Sequence, residues 1–260
     1  MSRLARGSCL CCLVAGLLLA APSLATARSD DEQRAQGRST PDFLFGQPRA
    51  TLGVRGSLGL PRAGSDLFDF LTRQLTIDKS DLRSSGFATD FGIRLTPRVD
   101  LLFGFEASRA AHASEYRDFV DNDFRPIEQS TTLNTANLTA GVRVALLPRG
   151  RQISQLAWIP RAVTPYVGAG AGFIRHEFRQ TGDFVDFQDL NVFRDVFESK
   201  RWTPSAYVSG GVDARLFRQI YLTTDARYLW ASGDLGDDFV GFAPMDLAGL
   251  RLSAGINFVF

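Results

Sequence analysis

Apolar and polar residues alternate with a period of two along most of the chain from residue 51 to its end. This pattern predicts β-strands with two different faces, because successive side chains of a strand point to opposite sides. Eight alternating segments are present, at residues 51–60, 85–96, 99–109, 132–147, 165–175, 205–216, 220–230 and 249–260. The sequence therefore predicts an all-β protein.

The lengths of the segments and of their connections favour a membrane barrel. Most of the segments have about 10–12 residues, more than the ~5–6 usual in soluble proteins and close to the ~9–11 of a tilted membrane strand. Long connections, at 60–84, 110–130, 177–203 and 231–246, alternate with shorter ones, except that 148–164 is also long. We predict an eight-stranded antiparallel up-and-down transmembrane β-barrel with four long extracellular loops.

The volume of the side chains predicts which face lies inside the barrel. The apolar face carries many Leu, Ile and Phe residues, which would overfill the narrow lumen of an eight-stranded barrel. The opposite face is rich in Gly, Ser and Thr, with charges of both signs, so we expect it to face inward. Because isolated buried charges are costly, we predict an ion-pair network of Arg55, Asp90, Arg94, Asp100, Glu106, Arg143, Asp213, Arg215, Asp225, Arg227 and Arg251.

The N-terminal 27 residues have the pattern of a signal peptide. Arg3 and Arg6 precede an apolar run, and small residues precede a predicted cleavage after Ala27. The apolar run is shorter than the ~20 residues of a membrane-spanning helix. We predict a signal peptide at 1–27, a flexible periplasmic leader at 28–48 and the barrel at 49–260. All three cysteines, Cys9, Cys11 and Cys12, lie in the signal peptide.

Two segments resemble known outer-membrane proteins. The last strand, with Ile256, Phe258 and the terminal Phe260, resembles the C-terminal assembly signal of these proteins. The glycine-rich segment from Thr164 to Phe173 resembles a strand of small barrels of the OmpA, OmpX and OmpW type. The resemblance implies location in a bacterial outer membrane. The partners that it implies are outer-membrane lipid, lipopolysaccharide and the outer-membrane assembly machinery.

Charge and candidate chemistry narrow the function only slightly. Lys and Arg number 29 and Asp and Glu 28, so no basic field indicates nucleic acid. His112, Ser114 and Glu115 lie close together in the predicted second loop, but residues so near in sequence rarely align for nucleophilic catalysis. His176 and Glu177 receive the same interpretation. With two histidines and no cysteine after cleavage, we predict no metal, no cofactor and no catalytic residue.

The long loops combine aspartate with phenylalanine, as in the 65–71 and 182–190 segments. We interpret the phenylalanines as packing within a cap, with a ligand or partner surface as the alternative. In the first loop, Ser65 is expected to N-cap a helix that carries Leu67, Phe68, Leu71 and Leu75. The leading hypothesis is a monomeric, non-enzymatic structural or surface-interaction barrel. A narrow OmpW-like channel for small hydrophobic molecules and a lipid-modifying enzyme are the alternatives.

Overall fold

The computed structural model describes residues 44–121, 123–154, 157–187 and 191–260. The predicted signal peptide, its cysteines and most of the predicted leader lie outside these residues. The described strands are β1 Leu44–Phe45, β2 Ala50–Pro61, β3 Ser84–Arg94, β4 Val99–Val120, β5 Pro126–Ala145, β6 Gly150–Ser154, β7 Ala157–Pro160, β8 Val163–Val185, β9 Val192–Arg215, β10 Ile220–Gly233, β11 Met245–Asp246 and β12 Gly249–Val259. One α-helix, α1, spans Asp66–Gln74, and short 3-10 helices span Lys79–Leu82 and Asp237–Phe239.

Eight of these strands form a closed antiparallel ring. Each pairs with the next in the order β2, β3, β4, β5, β8, β9, β10 and β12. The ring closes where β12 pairs with β2, with Leu252 opposite Leu58 and Ile256 opposite Val54. The predicted eight-stranded up-and-down barrel is confirmed, and each predicted strand lies within or overlaps one strand of the ring.

The two ends of the barrel differ. At the end that we call the short-turn end, β3 joins β4 and β9 joins β10 through four residues each, and β2 starts beside the end of β12. At the opposite end, the long-hairpin end, β4–β5 and β8–β9 continue far beyond their neighbours. The ladder between β8 and β9 extends to Val185 opposite Val192.

The prediction of loops at 110–130 and 177–203 is therefore wrong, since both segments are mainly strand. The sequence pattern fails there because the outward face changes from apolar to polar. On β5, Leu138 is outward and apolar, whereas Asn134 and Thr132 on the same face are polar. A paired strand with two mixed faces no longer shows the apolar–polar alternation on which the prediction depended.

The predicted long turn at 148–164 is a folded element. Strands β6 and β7 form a hairpin, and β7 also pairs with β1, Leu44 opposite Trp158. Trp158 is buried with Leu44, Tyr221 and Val259 at the short-turn end. We call this three-stranded sheet the plug. Its first strand, Leu44–Phe45, lies near the end of the segment predicted as the leader.

The long-hairpin end contains the larger apolar core. Helix α1 starts after Ser65, as predicted, although the Ser65 side chain makes no capping hydrogen bond. Leu67, Phe68 and Leu71 of α1 are buried against Phe178 and other residues of the strands. We call this group the cap. Among the described residues, no helix is both long and apolar enough to cross a bilayer.

Candidate functional site

The lumen between plug and cap holds a network of buried charges, which begins at Asp100. Arg143 donates to Asp100 Oδ2 at 3.0 Å, and Arg149 donates to the same oxygen at 2.6 Å. Arg94 Nε lies 3.5 Å from Oδ1. Arg143 Nη1 is also 3.7 Å from Asp213 Oδ2, so this part of the network joins β3, β4, β5 and β9.

A second group of charges surrounds Asp225, nearer the long-hairpin end of the lumen. Its Oδ1 is 3.6 Å from Arg227 Nε and 4.0 Å from Arg55 Nη1, and Arg55 also pairs with Asp90. The Tyr166 hydroxyl donates to Asp225 Oδ2 at 3.1 Å. These contacts satisfy a carboxylate that would otherwise be costly to bury.

A third ion pair joins two further residues of the predicted network. Arg251 donates to Glu106 Oε1 at 3.1 Å. These three groups bring ten predicted residues into ion pairs inside the barrel. Arg215 is partly exposed at the short-turn end, where its backbone N–H donates to the Ala162 carbonyl at 2.7 Å.

Sequence reasoning missed two members of the lumen, Arg149 and Tyr166. Arg149 belongs to a segment predicted as a turn, and nothing in its neighbours indicates that it enters the barrel. Tyr166 and Tyr207 point inward, where their rings lie under the guanidinium groups of Arg143 and Arg227 at 5.0 and 4.2 Å. Alternation from Gly168 and Gly170 would have placed Tyr166 on the same face.

Glycines on the inner face make room for these tyrosines. A Cβ atom at Gly141 or Gly170 would meet the ring or hydroxyl of Tyr207, and one at Gly211 would meet the Tyr166 hydroxyl. The two tyrosines therefore fit because these three facing positions are glycines, which carry no side chain. At these three positions an added methyl group would overlap atoms of the tyrosines or of the neighbouring backbone.

Two cavities between the cap and the plug are small. One of about 30 Å³ lies below the cap, beside Phe68, Leu133 and Arg251. Another of about 20 Å³ lies above the plug, beside Arg143, Trp158 and Asp213. Each has room for about one water molecule.

The strand geometry separates Glu115 from the other two candidate catalytic residues. His112, Ser114 and Glu115 lie on β4 rather than in a loop, which corrects their predicted setting. His112 and Ser114 share one face, where Ser114 is buried, whereas Glu115 is exposed on the opposite face. His112 Nε2 lies 3.7 Å from Asp81 Oδ2 of the 3-10 helix Lys79–Leu82. Ser114 Oγ makes no hydrogen bond with a described residue.

His176 is fully buried beneath the cap, next to Gly233. Neither ring nitrogen makes a hydrogen bond of normal geometry with a described residue. Burial lowers the pKa of His176, and the backbone of Asp234 partly opposes this shift. The neighbouring Glu177 instead faces outward, 3.4 Å from Lys200 Nζ.

The two long hairpins carry charges outside and aromatic residues between them. Glu198 accepts hydrogen bonds from Lys200 and Arg179, which lower its pKa to about 2. Phe119 of β4 contacts Phe187 beyond β8, with ring centroids 5.8 Å apart. The aromatic contact joins the two hairpins into one protruding unit.

The apolar outer surface of the barrel identifies the type of fold. A continuous belt of apolar side chains faces away from the lumen, and many of them are at least 40% exposed, including Leu52, Phe91, Leu138, Phe173 and Ile256. The charges are inside and the apolar residues outside. The fold is that of a small outer-membrane β-barrel.

Comparison with known proteins gives only structural matches. No protein-family model and no curated protein matches the sequence. Neisserial surface protein A, NspA, is 15% identical, with a TM-score of 0.44 over 81% of this chain and 96% of that chain. OprG from Pseudomonas aeruginosa is 11% identical, with a TM-score of 0.45 over 84% and 99%. Ail of Yersinia pestis is 16% identical, with a TM-score of 0.37 over 83% and 100%.

Proposed function

We propose that this β-barrel is a structural or surface-interaction protein of the bacterial outer membrane. In this proposal the barrel anchors the protein, and the protruding hairpins of β4–β5 and β8–β9 make its contacts. The observation that carries the proposal is the apolar belt around a charged and filled lumen. A water-soluble protein would bury this belt, because large exposed apolar surfaces associate in water.

The limits of the belt agree with a membrane setting. On β8 the outward residues are apolar from Val163 to Phe173, and the next outward residue is Arg175. Trp202, opposite Arg175 on β9, is 56% exposed. Tryptophan is enriched at the boundary between lipid and water. The belt on β8 therefore extends over 11 residues, a length that crosses the lipid core when the strand is tilted.

The orientation in the membrane follows from the lengths of the connections. Outer-membrane barrels have short turns in the periplasm and long segments outside. The short-turn end with the plug is then periplasmic, and the cap and hairpins are extracellular. The C-terminal residues Ile256, Phe258 and Phe260 face the belt, where we propose that the assembly machinery recognises them.

The filled lumen favours an interaction role over a channel. The two lumen cavities hold about one water each, and plug and cap cover both ends. The hairpin ends, in contrast, expose apolar side chains: Phe124 is 87% and Phe187 52% exposed. A conducting path for small hydrophobic molecules would require movement of the ion-paired side chains.

Single-tryptophan variants test the membrane setting. Trp202 and Trp230 lie on the outer surface in or beside the apolar belt, whereas Trp158 is buried in the plug. In vesicles of brominated phospholipid, we expect strong fluorescence quenching for variants that retain only Trp202 or only Trp230. The variant that retains only Trp158 is the matched control and should be quenched weakly. Equal quenching of all three variants would contradict the proposal. So would a protein that stays soluble and does not insert into vesicles.

A further inference from the structure

The short-turn end carries exposed arginines and no carboxylate in its connections. These are residues 46–49, 95–98, 146–162 and 216–219, and none of them is Asp or Glu. Each connection carries at least one exposed arginine: Arg49, Arg98, Arg161 and Arg218 are all exposed, and so is Arg151 in the third. At the opposite end, the segments between strands contain many carboxylates, among them Asp66, Asp121, Asp186 and Asp237. The two ends of the barrel therefore differ in charge. Acidic residues are absent from the connections at the plug end and frequent in the segments at the opposite end.

These arginines lie directly beside the apolar belt. Arg98 follows the turn that begins at Leu95, and Arg161 precedes Val163 by two residues; Leu95 and Val163 are 58% and 49% exposed. Arg49 donates its backbone N–H to the carbonyl of Phe260 at 2.8 Å, and Phe260 is 59% exposed. The arginines are thus distributed around the edge of the belt rather than gathered in one patch. We call Arg49, Arg98 and Arg161 the arginine rim.

The rim lacks counter-charges of its own. In the part of the chain that the structure describes, no carboxylate lies within ion-pair distance of these three guanidinium groups. Asp100, two residues after Arg98, and Asp213, opposite Thr164, are buried and paired with Arg143, and Asp100 also with Arg149. Some exposed cations at the hairpin end, such as Lys200 and Arg179, have carboxylate partners. The rim is the place where an external anion would supply the missing charge.

We propose that the arginine rim binds the phosphates of anionic glycerophospholipids in the periplasmic leaflet. The inference depends on the proposed membrane function, since the belt sets the depth at which the rim lies. Arginine keeps its aliphatic stem against apolar surface while its head reaches the polar boundary. Its planar guanidinium matches phosphate oxygens in a bidentate arrangement. A lipid explains the circular distribution better than a soluble acidic polymer, because lipid headgroups surround the belt on all sides.

The test measures lipid preference in vesicles. The mature protein is inserted into phosphatidylcholine vesicles that contain traces of spin-labelled phosphatidylglycerol or spin-labelled phosphatidylcholine. Electron paramagnetic resonance then gives the association of each lipid with the protein. We expect phosphatidylglycerol to associate about fivefold more strongly, the effect of ~1 kcal/mol for a basic side chain at an anionic surface. About 1 M salt should reduce the preference, because it shortens the screening length to about 3 Å.

Two variants with equal charge change locate the effect. The R49Q/R98Q/R161Q variant should lose the preference, whereas R117Q/R125Q/R194Q, which removes three arginines of the hairpins, should retain it. Equal association of both lipids with the wild type, or an unchanged preference in the rim variant, would overturn the proposal. Rim-dependent sedimentation with peptidoglycan sacculi, without a lipid preference, would overturn it in favour of an acidic polymer. Heat-modifiable gel mobility reports insertion separately, so a wild type that never inserts contradicts the membrane function instead.

Discussion

Arg149 of the plug segment donates a hydrogen bond to Asp100 of the barrel wall at 2.6 Å. The two residues are 49 positions apart in sequence. Both are buried, and Asp100 also accepts a hydrogen bond from Arg143. One carboxylate therefore connects the plug to the wall of the lumen.

Replacement of Asp100 by asparagine should destabilise the barrel strongly. Asp100→Asn keeps the shape of the side chain but removes the negative charge that Arg94, Arg143 and Arg149 share. Because it leaves buried cations uncompensated, we expect the free energy of unfolding to fall by about 3–5 kcal/mol. Urea unfolding in vesicles measures the change. Glu115→Gln, an exposed charge removal on the same strand, is the control, and an equal effect of both variants would refute the explanation.

A methyl group at Gly211 should disturb the packing of Tyr166. A Cβ atom there would overlap the Tyr166 hydroxyl and the Thr224 carbonyl oxygen. We expect Gly211→Ala to reduce the free energy of unfolding by about 1–3 kcal/mol, the usual effect of overpacking. At the adjacent Gly210 the nearest atom is 3.9 Å away, so Gly210→Ala is a matched control. If Gly210→Ala were the more destabilising, the assignment of the inner face would be wrong.

Phe68 should be a main contributor to the stability of the cap. Its side chain is 1% exposed, and its ring meets that of Phe178 edge to face at 6.4 Å. We expect Phe68→Ala to cost about 3–5 kcal/mol, as is usual for buried phenylalanines. Phe124→Ala, at an 87% exposed position, should have little effect. The midpoint of the heat-modifiable mobility shift compares the two variants, and similar midpoints would indicate that the cap does not pack as described.

Burial of His176 should make the folded state sensitive to acid. Since burial lowers the pKa of His176, the unfolded chain binds a proton more readily than the folded one. The contribution of this residue to stability is therefore complete above the unfolded pKa of about 6.5 and is lost as the pH falls through that value towards the folded pKa. His176→Leu should flatten the dependence of the unfolding free energy on pH between about 7.5 and 5. His112→Gln, which removes the other imidazole, is the control; a flat profile in the wild type would contradict the prediction.

The amino-acid sequence by itself determined the barrel and its two faces. Alternation with period two identifies strands, and the volumes of residues such as Phe91 and Gly172 decide which face fits a narrow lumen. Both are local properties of a strand, so they can be read without tertiary contacts. The same argument selected ten residues that the structure joins in ion pairs, because charges on the inner face of a narrow barrel lie within reach of one another.

Only the tertiary structure decided the elements that depend on distant contacts. The strand extensions beyond Arg109 and Arg175 have mixed faces, and their form is set by pairing across the ladder rather than by a solvent difference. The entry of Arg149 into the lumen depends on Asp100, and the order of Leu44 and Phe45 depends on β7. The exposed arginines Arg49, Arg98 and Arg161, from three separate connections, form one rim only when the ring closes. In each case the partner lies far away in sequence, where periodicity carries no information about it.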